Sequence, residues 1–415
     1  MFLALLSGAS AASSPPAPSA PSAPPCTVEM LKQRPAGDKS WPIACSDTTL
    51  GTADKELDLS GAHLSYGDFK DATFTGTGAV RLKGAGLAHA DLSASKVSAV
   101  GEDTQIIDFS GANLANADLS HSTLTADSSY SGEAIIDLSE ANLAYADLSG
   151  SKLTADSSYA SAYYETTIDF SGANLTNSDL RGAELNAVST TDFSGASDST
   201  IDFSGANLAS ADLSGSMLTV ETSYGEATID FTKANLANAD LSGSKLKAKG
   251  EMPDGDAATI DFTKANLANA DLRGAELTAE SSYGEAIIDF TNADLTNADL
   301  RGVELSAKGI IGLAPPPSGP PQPCLECKDD CSNSFDTCTK STRKCKRKRN
   351  RCNKKCKKSD KCGTSCEDNT IPGVGSFWCN LNTNTKYVTG SVKQDFCNNE
   401  LYKSKCMLSC DECTS

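Results

Sequence analysis

Histidine, tryptophan and methionine are scarce in this chain: three, two and five residues among 415. His63, His89 and His121 have no partnered nucleophile, and no H-E-x-x-H, G-x-S-x-G or phosphate-binding loop occurs. These absences argue against the common hydrolase and nucleotide chemistries, so the sequence reads as a non-enzyme without catalytic residues, cofactor or metal centre. No apolar run approaches the roughly 18 residues of a membrane-spanning helix. Cysteine is missing from the whole middle of the chain. Of sixteen, only Cys26 and Cys45 lie outside residues 324–413.

What fills the middle is one phrase repeated. Residues 107–124 read IDFSGANLANADLSHSTL, and close variants return six more times before residue 308. Phe109, Leu114, Leu119 and Leu124 stand five apart, and Ala112 and Ala117 each precede one of them by two. A period of five suits neither a helix nor a strand. Repetition at fixed spacing means a solenoid, in which each unit buries its apolar face against its neighbours.

The A-[DN]-L-x-x pattern, as in Ala112-Asn113-Leu114-Ala115-Asn116, resembles the pentapeptide-repeat proteins over residues 57–308. The resemblance implies an all-β fold, a right-handed four-sided β-helix. In it four pentads make a coil, Leu or Phe and the small residue two before it point inward, and the other three positions face water. Groups of four pentads open at Leu59 and Leu82, then at Phe109, Leu138, Phe170, Phe203, Phe231, Phe262 and Phe290. That makes about nine coils, a stack about 43 Å tall at the ~4.8 Å spacing of paired strands. Between groups the chain carries insertions such as AESSYGEAI. They recur at one corner and are expected to stack as a flange, as hairpins or extended strands. Tyr130, Tyr159, Tyr224 and Tyr283 would form a row there, either packing the flange together or binding a partner.

On the outside, equivalent residues form columns: Asp108 to Asp289, Asp118 to Asp299, and Asn113 to Asn266, the last able to stack as an amide ladder. Carboxylates about 5 Å apart repel. Turn N–H groups can offset this; bound cations are the alternative. Ser110, Ser139, Ser171, Ser204, Thr232, Thr263 and Thr291 make a hydroxyl column, but Lys and Arg break the neighbouring faces that a flat ice-binding surface would need.

The flanks differ from the rod. Residues 1–12, MFLALLSGASAA, read as a secretory signal peptide without a basic start. Residues 13–25 are a Pro/Ala/Ser linker. Residues 26–56 read either as an N-terminal cap closed by Cys26–Cys45 or as a disordered extension with a local staple. Residues 309–323 hold a Pro-rich linker, APPPSGPPQP.

Residues 324–362 then space their cysteines palindromically. Pairing Cys327–Cys356, Cys331–Cys352 and Cys338–Cys345 gives one common midpoint, as in a helical hairpin stapled by a disulfide ladder. The paired C-x3-C motifs resemble plant α-hairpinins, which lack the inner pair. Cys324–Cys362 closes the base. A single helix cross-linked to another chain is the alternative. Residues 363–415 end C-x8-C-x3-C-x2-C after a C-x-D start, which resembles the ShKT module, a small extracellular domain. That resemblance implies Cys366–Cys413, Cys379–Cys406 and Cys397–Cys410.

The net charge is −18, yet Lys340 to Lys361 holds thirteen Lys or Arg and one Asp. Lys346, Arg347, Lys348 and Arg349 are the centre of that segment, suited to an anionic polysaccharide or surface by charge alone. No aromatic is interleaved to stack bases, and nothing supports sequence-specific nucleic-acid binding. A solvated face, or one that docks on the chain's own acidic rod, is the alternative.

The whole reads as a secreted acidic rod held by its basic tail to an anionic matrix or cell surface, with a protein partner and self-association left open. Two other classes stand beside it. Some pentapeptide-repeat proteins mimic duplex DNA, so the rod could inhibit a DNA-handling enzyme; the Asp columns could instead meet calcium or mineral. Asn174-Leu175-Thr176 is the sole N-glycosylation sequon.

Overall fold

Each pentad makes one tight turn. In residues 109–112 the Ala112 N–H donates to Phe109 O at 2.9 Å, and Gly111 sits at φ +63. Positive φ at the third residue of a four-residue turn is the type II arrangement, and Asn116 (φ +58) repeats it five residues later. The turn throws Phe109 and Ala112 inward together. Both are buried, as are their equivalents in the other coils except Ala293, which is partly buried.

Four such corners close a coil, and coils stack by parallel pairing. The computed structural model describes residues 26–36, 42–129, 132–157, 164–189, 197–251 and 257–312. Two ten-stranded parallel sheets run the length of the rod. One is built from strands of up to six residues, such as Thr123–Ser128. The other has strands of up to four, such as Ala134–Asp137. The two remaining faces are single-residue ladders, through Asn113–Asn142–Asn174 and Asp118–Asp147–Asp179. Register is fixed residue for residue: Leu124 pairs with Leu153, and Ile136 with Ile107 and Ile168. Seven regular coils open at Phe109 and its six equivalents; two less regular ones, opening at Leu59 and Leu82, precede them.

The interior is a set of columns. Phe170, Phe203, Phe231, Phe262 and Phe290 stack face to face with centroids 4.8–5.0 Å apart and planes within 6°. Leu59, Leu64, Leu114 and Leu143 are wholly buried in the same core. Each such side chain contributes about 1.5–3 kcal/mol on burial, against a fold whose turns contribute little alone.

The flange differs from a stack of hairpins. The two arms of each insertion do not pair with each other. The first lengthens a strand of one sheet and the second a strand of the other, and each pairs with the coil above and below. Ala126 and Ser128 on one arm, and Ala134 and Ile136 on the other, are all buried. The insertion therefore forms a two-sheet fin with its own interior. Burying those side chains between sheets, which a lone hairpin cannot do, decides the geometry.

Both limits of the rod also move. Strand Gly309–Ile311, within the segment read as a Pro-rich linker, pairs with Ala286–Asp289. Ile310 continues the Ile260–Ile288 column, so the rod extends past residue 308. Strand Thr49–Gly51, in the segment assigned to the cap, pairs with Thr73–Gly76.

Ahead of that strand, a short helix (Val28–Gln33) lies on the first coil with Leu31 fully buried. Thr27 Oγ1 caps the helix by accepting from Met30 N–H at 3.2 Å. Arg34 Nη1 donates to His63 O and Ser65 O at 2.8 and 2.9 Å. Cys26 and Cys45 are disulfide-bonded, with Cα atoms 5.4 Å apart. The segments read as a signal peptide and as the 13–25 linker, and everything beyond residue 312, including the cysteines expected to pair in the tail, lie outside the described residues.

Candidate binding faces of the rod

The Asp columns are turn devices. Asp108 Oδ1 accepts from Ser110 N–H at 2.9 Å and Ser110 Oγ at 2.6 Å. Asp118 Oδ1 accepts from Ser120 N–H at 2.9 Å. The pattern repeats at Asp137, Asp147 and Asp240. A carboxylate bonded two residues onward closes an Asx turn, which is why Asp stands immediately ahead of a Leu or Phe corner. Repulsion along the column remains. Burial raises the pKa of Asp202, opposed by hydrogen bonds from Ser204, with Asp230 and Asp169 pushing further upward. Burial, then Asp156, raises that of Asp127.

The second Asp column carries its own cations in the C-terminal coils. Arg273 Nε donates to both oxygens of Asp271 at 2.8 Å and reaches Asp299 at 3.8 Å. Arg181 bridges Asp179 and Asp212 in the same way, and Arg301 binds Asp299. These hydrogen bonds hold Asp179, Asp271 and Asp299 below the usual carboxylate range. The D-L-R spacing that places the pair was visible in the sequence, though its partnership went unread. The pairs are exposed and each contributes little to stability.

The Asn column is a ladder. Asn142 Nδ2 donates to Asn113 Oδ1 at 3.2 Å, and Asn174 Nδ2 to Asn142 Oδ1 at 3.1 Å. Asn207 turns to Thr176 Oγ1, and Asn235 and Asn266 resume the run. Asn174, the sequon residue, thus has its amide nitrogen engaged. A glycan there would leave that nitrogen one hydrogen.

Of the four tyrosines expected in a row, Tyr130 and Tyr159 lie outside the described residues, as do Lys346, Arg347, Lys348 and Arg349. Tyr283 is 67% exposed. Tyr224 and Tyr283 stand two coils apart, and among the described residues their rings make no mutual contact, because the coil between them carries no Tyr. Sequence reasoning missed another aromatic set. Tyr66 stacks on His89 at 4.7 Å and 12°, and Tyr145 is 61% exposed on the same corner.

A shallow groove of about 280 Å³ near the C-terminal end is lined by Lys249, Gly250, Glu280, Ser281, Ser282 and Lys308, among others. Lys249 pairs with Glu251, and Lys308 Nζ donates to Gly284 O at 2.8 Å. No nucleophile–base pair converges there. Among the described residues no group of three or more His, Cys, Asp or Glu could hold a metal ion. None of the described helices is long and apolar enough to cross a membrane.

In-register columns on all four faces define a parallel β-solenoid. The rod is a pentapeptide-repeat domain: the family of pentapeptide repeats matches in eight copies, within residues 107–126, 168–189, 260–279 and 288–307. HetL, a pentapeptide repeat protein involved in heterocyst differentiation regulation from the cyanobacterium Nostoc sp. strain PCC 7120, is 24% identical. The match covers 66% of this chain and 91% of HetL, with a TM-score of 0.25. A trypsin-treated form of QnrB1, a plasmid-mediated fluoroquinolone resistance protein, is 16% identical over 63% of this chain and 90% of its own, with a TM-score of 0.22. No curated protein matches the sequence.

Proposed function

We propose that the protein is a secreted, non-enzymatic rod whose acidic faces are held out from an anionic matrix or cell surface by the basic, cysteine-rich tail. The observation that carries this reading is the Cys26–Cys45 bridge, whose Cys45 is fully buried beneath the cap. Structural disulfides persist in oxidising compartments, and fourteen further cysteines in an even set fit the same setting. The rod supports the non-catalytic role because its outer carboxylates and amides are spent on turns and ladders.

The test is an intact mass of the native protein with thiols alkylated before reduction. Loss of about the first twelve residues, with no alkylated thiol, is the expected result. An uncleaved chain with sixteen alkylated thiols would refute secretion. Retention on an anionic polysaccharide should then fall steeply with salt and drop further when Lys346, Arg347, Lys348 and Arg349 become Gln. A salt-independent retention would remove charge as the cause.

A second reading rests on one face. The Asp108–Asp289 column and, four residues earlier and just ahead of the strands, Glu133, Glu165, Glu226 and Glu285 make two rows of carboxylates beside one sheet, as phosphates line a duplex. An intracellular chain with reduced thiols would favour this DNA-mimic role against a DNA-handling enzyme. A fall in melting temperature with EDTA would favour the calcium or mineral reading instead.

A further inference from the structure

The acidic charge of the rod is unevenly compensated along its length. Between Gly84 and Ser151 stand ten Asp and Glu and one basic residue, Lys96; from Lys152 to Gly312 there are twenty-five and ten. In the later coils Arg181, Arg273 and Arg301 neutralise the second Asp column. In the earlier ones Ser93, Ser120 and Ser149 hold the equivalent place. Asp91, Asp118 and Asp147 accept hydrogen bonds from these serines. Among the described residues the three form no ion pair.

The corner beside these carboxylates has an unusual composition. Most equivalent positions with positive φ there carry Asn, as at Asn116, Asn177 and Asn238. Tyr66, His89 and Tyr145 occupy it at φ +58, +59 and +60. A bulky side chain in the left-handed region is disfavoured where Asn or Gly would relieve it. Yet Tyr66 and Tyr145 are 54% and 61% exposed, so core packing does not explain them. Exposed aromatic rings beside carboxylates that form no ion pair are a surface on which Lys and Arg bind, by cation–π attraction and charge together.

We propose that this face, from Asp91 to Asp147 with the Tyr145 corner, is the docking surface for the basic segment Lys340–Lys361 of the same chain. Charge complementarity is one argument: thirteen Lys or Arg meet the least compensated part of the rod. Reach is the other. Asp118 lies six coils before Asp299, about 29 Å at the spacing of paired strands. The 27 residues between Gly312 and Lys340 can span at most about 90 Å, so that distance is within the chain's reach. A docked tail is available only to an anionic surface that outcompetes the rod. This goes beyond the matrix-anchoring reading and needs no matrix to be tested.

The experiment is zero-length carbodiimide cross-linking of the full-length oxidised protein at low concentration, with peptide mapping of the monomer. Lys346, Lys348 and Lys354 should form amides with Asp118, Glu140 and Asp147 several-fold more often than with Asp212 or Asp240. The excess should vanish in about 0.5 M salt, where screening reaches only a few ångströms. It should also vanish in the D91N/D118N/D147N variant. Asn keeps the turn bond, as Asn142 does with Ala144 N–H, so unchanged circular dichroism separates docking from folding. Links spread evenly over the Asp columns, no links, or links found only in dimers would each overturn the proposal.

Discussion

Phe231 is the place to test whether the rod is held by stacked columns or by its turns. Its ring lies between Phe203 and Phe262, at 5.0 and 4.9 Å and nearly parallel to both, with no exposed surface. Phe231→Ala removes a ring at the centre of five and leaves a cavity, because parallel pairing on four sides prevents collapse. Such truncations cost about 3–5 kcal/mol. Phe231→Leu is the internal control, since Leu138 fills the same column position in its own coil. That change should cost about 1–3 kcal/mol, mostly the two stacking contacts at about 0.5–1.5 each. The assay is guanidinium denaturation followed by circular dichroism, with hydrogen exchange to localise the loss. In a solenoid the damage should centre on the coils opening at Phe203, Phe231 and Phe262 and fade outward. Equal costs for the two variants, or a Phe231→Ala cost under 1 kcal/mol, would refute the column argument.

Other outcomes follow from the turns, the cap and the charges. Lys233→Gly should stabilise the rod by about 1 kcal/mol, because Lys233 holds φ +60 where Gly205 stands one coil earlier at +66; a lower melting temperature would contradict this. Reducing Cys26–Cys45, which closes a separation of 19 residues, should cost about 3 kcal/mol at the N-terminal end and free the Val28–Gln33 helix to exchange amide protons. No change in exchange there would mean that Leu31 alone seats the cap.

The pH dependence has two opposing parts. The raised carboxyls of Asp202 and Asp127 destabilise the fold while charged, so acidification through their folded pKa relieves it. The lowered carboxyls of Asp179, Asp271 and Asp299 contribute stability above their unfolded pKa and lose it as pH falls through the folded value. The melting temperature should therefore rise slightly from neutrality into mild acid and fall below about pH 4. A monotonic fall from pH 7 would show that the burial of these carboxylates, and the repulsion added to it, cost the fold nothing measurable.

The sequence by itself determined the coil. A five-residue period with Leu or Phe at one position and a small residue two before it allows a single inward face. Gly or Asn stands at the third place of most turns, where φ is positive. The Asp and Asn columns were legible for the same reason, since in-register parallel stacking turns a period along the chain into a row in space. The inner small residue was read as Ala, yet ahead of the long strands it is often Ser, as at Ser122, Ser151 and Ser216, all buried.

Tertiary structure alone decided the rest. The insertions could have been hairpins on local grounds. They became a fin because Ala126 and Ile136 could be buried only by pairing each arm with neighbouring coils. The Arg181–Asp212 bridge joins residues 31 apart, and the Tyr66–His89 stack residues 23 apart. Such contacts follow from how many residues each coil spends on its insertion, which varies. Their partners became neighbours only once the stack existed.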